Sequence, residues 1–87
     1  MTAQTNLKYK IRDMVTGLYQ DESYGKSSLY PAATWSEKGK MWCKISDLKL
    51  HLNLLQKNYI AISPLWQIIE IEPSGFENNC YPATALI

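Results

Sequence analysis

Two stretches of the chain alternate cations with apolar residues at strand spacing. In Lys8-Tyr9-Lys10-Ile11-Arg12, a strand puts Lys8, Lys10 and Arg12 on one face and Tyr9 and Ile11 on the other. In Lys40-Met41-Trp42-Cys43-Lys44-Ile45, the same spacing groups Lys40, Trp42 and Lys44 against Met41, Cys43 and Ile45. Trp66–Glu72 is a further strand, rich in β-formers, with Ile69 and Ile71 alternating with Glu70 and Glu72. Between these the period changes from two to that of a helix. Leu48, Leu52, Leu55 and Tyr59 recur at helical spacing and are expected to pack on a sheet. Leu50 and Leu54 widen that stripe, while Lys49, Asn53, Gln56 and Lys57 suit the wet side. Ser46 is a good N-cap, Asp47 favours the positive helix end, and Ile45 and Leu50 fit a hydrophobic staple. Asn58 is expected to end the helix in a left-handed cap.

The connections follow from turn chemistry. Asp13–Gly17 reads as a turn, after which Leu18-Tyr19-Gln20 returns as a short strand. Asp21–Ser28 is polar and glycine-bearing and reads as a loop. Tyr30-Pro31 opens an extended stretch that reaches Ser36, and Glu37-Lys38-Gly39 reads as a three-residue hairpin loop. In that register Trp35 lies opposite Met41, Thr34 faces Trp42, and the Trp42 indole is exposed among lysines; a slip of one residue exchanges the faces. Ser63-Pro64 is a break, and Pro73-Ser74-Gly75 closes the last strand. The order is β-β-β-β-α-β: an α+β fold in which a small antiparallel β-sheet carries one packed α-helix. Residues 1–87 form a single small domain, with a frayed segment 1–6 and an irregular tail 73–87. A core this small is marginal, so a homodimer paired through a sheet edge is expected.

Charge then narrows the function classes. The net charge is +1. All nine Lys and Arg lie within residues 8–57, against five acids there (Asp13, Asp21, Glu22, Glu37, Asp47), a local net of +4. Residues 58–87 carry only Glu70, Glu72 and Glu77, a net of −3. Such a chain can present a basic face, although a sequence pI near 7.7 argues against a strong general nucleic-acid binder. No apolar run is long enough for a membrane span, and the N-terminus lacks signal-peptide character, which reads as a cytoplasmic protein with no membrane partner. Cys43 falls on the expected core face, and two distant cysteines with one histidine give no metal spacing. His51 has no nucleophile beside it in sequence, and the glycines form no phosphate cradle. The expectation is a non-catalytic chain without a cofactor.

The candidate chemistry is therefore binding. Cationic grooves with aromatic platforms hold single-stranded nucleic acid, because every base offers a face to stack. Lys8, Lys10, Arg12, Lys38, Lys40, Trp42 and Lys44 are the candidate contacts, with RNA or a nucleic-acid-associated host protein as partner. Lysines also mark the wet face of a half-buried sheet and guard its edges, so the pattern admits a purely structural reading. Trp35 and Trp66 read as core. Tyr19, Tyr24, Tyr30 and Tyr81 can enrich a protein interface, which gives the rival reading: a protein-only inhibitor or adaptor acting through tyrosine-rich loops and the C-terminal tail.

A resemblance accompanies these patterns. Tyr9-Lys10-Ile11-Arg12, Thr16-Gly17-Leu18-Tyr19, Trp35 with Lys38-Gly39-Lys40 and Trp42, and Leu48-Lys49 with His51-Leu52 resemble small accessory proteins of large lytic tailed phages. Their counter-defence members include an RNA-binding inhibitor of the toxin ToxN, from a toxin–antitoxin system, to which the chain is similar. The resemblance spans about residues 8–55, rests on structural positions, and assigns no binding residue. It implies a non-catalytic binder made during infection; taken with the basic face, the leading expectation is a phage accessory protein that inhibits a host defence factor by binding RNA and/or a nucleic-acid-associated protein.

Overall fold

A computed structural model describes residues 6–25 and 32–87; the side chains of residues 23–25 are not described. The elements are β1 (Lys8–Asp13), β2 (Tyr19–Gly25), β3 (Ala32–Ser36), α1 (Ile45–Lys57), β4 (Trp66–Ile71), β5 (Glu77–Pro82) and a 3-10 turn, Ala83–Leu86. The strands form one antiparallel sheet in the order β3-β2-β1-β4-β5, and α1 covers one face. The fold is α+β, one helix on an antiparallel sheet, in the order β-β-β-α-β-β in place of the expected β-β-β-β-α-β.

The central pair sets the two faces. In β1 and β4, Ile11 lies opposite Ile68 and Lys10 opposite Ile69. Tyr9 and Ile11 pack toward α1, together with Trp66 and Ile68. Leu48, Leu52 and Leu55 descend from α1 onto them and are fully buried. At about 1.5–3 kcal/mol for each buried side chain, these three leucines dominate the attachment of α1. Trp35 and Trp66 meet edge to face with centroids 5.2 Å apart, completing the core beside β2.

The turn after β1 forms where its residues direct. Asp13 Oδ1 accepts from Val15 N at 2.9 Å, and Asp13 O accepts from Gly17 N at 2.8 Å, with Gly17 at φ 76°.

Four expectations are corrected. First, Asp21–Gly25 continues β2 and is no loop; main-chain pairing of Tyr24 with Ala33 and Gly25 with Ala32 holds it, despite its polar sequence. Ser27, Ser28, Tyr30 and Pro31, with Met1–Thr5, lie outside the described residues. Second, Glu77–Pro82 is a strand, and Ala83 beyond it is fully buried, so the last residues belong to the domain. Third, Lys44 stands at the N-cap position of α1, and Tyr59 takes the left-handed conformation at φ 62° one residue past Asn58. Ile60 N donates to Leu55 O and Tyr59 N to Gln56 O, the two bonds of a Schellman motif. Tyr59 is consequently 92% exposed, and Ile60 takes the core position expected of it.

Fourth, the segment that carries Trp42 takes a different place in the sheet. Lys40–Lys44 does not return along β3. β1 and β2 pair only beside their turn, at Arg12 and Tyr19, and then diverge. The chain after β3 enters this fork. Lys40 N donates to Gln20 O on one side, and Tyr9 and Trp42 exchange both main-chain bonds at 2.8 Å on the other. Gly39 makes the entry possible: it adopts φ 67°, and a Cβ there would lie 2.4 Å from Tyr19 Cβ. Trp42 then shares the face of Tyr9, points into the core, and is 4% exposed. Cys43 is turned outward to solvent, opposite to its expected side.

Candidate nucleic-acid interface

The face of the sheet away from α1 is built outward from β1. Strand alternation projects Lys8, Lys10 and Arg12 from it, and the turn register sets Tyr19 beside Arg12 on the same side. Lys10 Nζ stands 4.7 Å from the Tyr19 ring centroid, and Arg12 Cζ stands 6.0 Å from it. Two cations over one phenol ring is a cation–π arrangement, each contact contributing about 0.5–1 kcal/mol at such exposed sites. Lys10 Nζ also donates to Lys38 O at 2.8 Å, which brings the Lys38 segment to the same rim. Lys8 Nζ lies 3.3 Å from Cys43 Sγ. Beneath the cations, Ile69 is fully buried, with Lys10 and Cys80 as its cross-strand neighbours. Arg12 is partly neutralised by Glu77 at 3.6 Å.

The structure thus gathers Lys8, Lys10 and Arg12, sets the Lys38 carbonyl on the Lys10 ammonium, and does not bring Lys40, Trp42 or Lys44 to them. Trp42 is buried for the reason given above. Lys40 lies on the helix side of the sheet, where its Nζ is 3.7 Å from Glu22. Lys44 is exposed just ahead of α1, its carbonyl accepting from Asp47 N and Leu48 N. Tyr19 is the residue that strand alternation alone missed. Its signal was the turn: fixing Asp13–Gly17 fixes the pairing of Arg12 with Tyr19.

The helix side carries a groove of about 370 Å³ between α1 and the Lys40–Cys43 segment. His51 forms part of its wall and is itself buried. Its Nε2 lies 2.6 Å from Gln20 Oε1, and its ring packs against Trp42 with centroids 4.9 Å apart. Burial lowers the pKa of His51 from its ordinary 6.5, and the charge of Glu22 opposes the shift. Gln20 Nε2 is buried without a hydrogen-bond partner among the described residues. On the sheet, burial chiefly raises the pKa of Tyr81, and the Glu70 carboxylate adds to the shift.

Among the described residues no three His, Cys, Asp or Glu side chains converge as metal ligands. No helix among them is long and apolar enough to cross a membrane. No family model, curated protein or solved structure matches the chain.

Proposed function

We propose that the chain is a non-catalytic binding protein whose open sheet face holds single-stranded RNA. The observation that carries this reading is the convergence of Lys8, Lys10 and Arg12 on one face, with the Tyr19 ring beneath two of them. Lys38 meets the rim through its carbonyl, which accepts from Lys10. The cations would hold phosphates, and Tyr19, in place of the buried Trp42, would supply the stacking platform. Lys10 is the moving part. When its ammonium leaves the ring and Lys38 O for a phosphate, the phenol face opens to a base. Inhibition of an RNA-associated host factor is the proposed outcome of that binding.

Fluorescence anisotropy with a labelled single-stranded RNA, repeated over a range of salt concentrations, tests the proposal. For single strands log K falls by about 0.7 per neutralised phosphate for each decade of salt. Lys10→Ala should weaken binding and flatten the slope by about 0.7. Tyr19→Leu should weaken binding with the slope unchanged. Lys44→Ala, altered away from the face, should leave both alone. Absence of binding at low salt refutes the proposal, as does a Lys44→Ala loss equal to that of Lys10→Ala.

A further inference from the structure

The groove on the helix side has an apolar mouth that the RNA reading leaves unused. Met41 is 40% exposed, Leu50 58% and Leu54 40%, and all three line the groove. Leu50 and Leu54 are one turn apart, on the flank of α1 that borders His51 and the groove. Leu48, Leu52 and Leu55 already cover the sheet, so this second stripe is surplus to the chain's own core.

We propose that this flank of α1 is the contact surface of a two-fold homodimer, in which each copy's Leu50–Leu54 ridge enters the other's groove. A two-fold interface requires one patch that carries both a shape and its complement. Ridge and groove lie side by side here, sharing Leu50 and Leu54. Charge selects a second copy and its direction. Asp47 and Lys57 lie equally far from the middle of the ridge, at opposite ends of α1, and both are exposed. Neither takes part in a salt bridge among the described residues. Antiparallel helices bring each copy's Asp47 level with the other's Lys57, whereas parallel helices would align like charges. The antiparallel arrangement also opposes the helix dipoles favourably. The interface is on the side of the sheet opposite Lys8, Lys10 and Arg12, so both basic faces remain open and the dimer becomes bivalent.

Sedimentation equilibrium of the full chain from micromolar to millimolar concentration tests this. The wild type should approach twice the 10.0 kDa chain mass as concentration rises. Leu50→Ser with Leu54→Ser should raise the dimer dissociation constant at least about tenfold. Asp47→Lys should weaken the dimer, and adding Lys57→Asp should restore it, as expected for a directly coupled pair. Because the charged positions are exposed, this pair remains informative if the double serine variant loses its helical circular dichroism. A wild-type monomer throughout the range overturns the proposal. So does a dimer indifferent to the leucine changes in a folded variant, or a double charge reversal no tighter than Asp47→Lys alone. None of these measurements involves RNA, so their failure is separable from failure of the nucleic-acid reading.

Discussion

Gly39→Ala is expected to unlock the arrangement that buries Trp42, and Gly17→Ala provides its internal control. Both glycines have positive φ, 67° and 76°, and both lie in connections between elements. They differ in what surrounds them. An added Cβ at Gly17 meets nothing within 4 Å, whereas at Gly39 it comes 2.4 Å from Tyr19 Cβ and 3.0 Å from Gln20 O. Carbon atoms rest about 3.5–4.0 Å apart, so the shortfall at Gly39 exceeds about 1 Å. No rotamer change relieves it, since Tyr19 Cβ is fixed by its own backbone. The segment must move off β2, and a shift of that size breaks the 2.9 Å bond from Lys40 N to Gln20 O.

The magnitudes follow. A left-handed alanine costs about 1–2 kcal/mol, offset by about 0.4–1 from a less free unfolded chain, so Gly17→Ala should destabilise by about 1 kcal/mol or less. Gly39→Ala adds a lost hydrogen bond, about 1 kcal/mol, and a partial loss of indole packing, for which complete truncation would cost about 3–5 kcal/mol. A total near 3 kcal/mol is expected. At about 4–8 °C per kcal/mol for a domain this small, the melting temperature falls by roughly 12–24 °C. Urea titrations of both variants, followed by far-UV circular dichroism and by tryptophan emission, measure the difference. If the two alanines cost the same within about 0.5 kcal/mol, the insertion of this segment does not hold the domain together.

Two further outcomes are expected. Burial lowers the pKa of His51, so the unfolded chain takes up a proton near 6.5 while the folded chain resists until lower pH. Stability should therefore be full above 6.5 and fall as pH drops through the interval between the two values; His51→Gln should flatten that interval, and an unchanged slope in urea titrations at several pH values would contradict the assignment. Tyr59→Gly should stabilise the domain by about 0.5–1 kcal/mol, because it removes left-handed strain from a side chain with almost no contacts to lose. A lower melting temperature for Tyr59→Gly would contradict that.

The parts of this fold that were legible in the sequence are those fixed by local period. Leu48, Leu52 and Leu55 marked the buried side of α1, and Lys8–Arg12 announced both faces of β1. The unread parts are those fixed by distant backbone. Asp21–Gly25 and Glu77–Pro82 have no apolar alternation; main-chain pairing, with β3 and with β4 respectively, places each in the sheet. Lys40–Lys44 had the right alternation, but period two says which residues share a side and not which strand they join. Its partner was decided by the divergence of β1 and β2 and by the close approach of Gly39 to Tyr19, neither of which leaves a periodic trace. The proposed site shares this division: Lys8, Lys10 and Arg12 share one face of β1 as their alternation predicts, whereas Trp42 lies buried on the other.

The relocation of the aromatic contact follows from size. An indole buries about 150–250 Å² of surface, which at about 25 cal/mol per Å² is worth roughly 4–6 kcal/mol. Domains of this length are stabilised near the lower end of the usual range, about 5 kcal/mol in total, so leaving Trp42 outside would forgo an amount comparable to the net stability. Lysines flanking a tryptophan do not alter that balance, since Lys40 and Lys44 reach water whichever way the ring points. Tyr19 is under no such demand. The core is already closed by Trp35, Trp42 and Trp66, so a phenol on the opposite side can remain half-buried beneath Lys10 and Arg12. Burying the larger ring and leaving the smaller one among cations puts the core on one face of the sheet and the proposed RNA contact on the other.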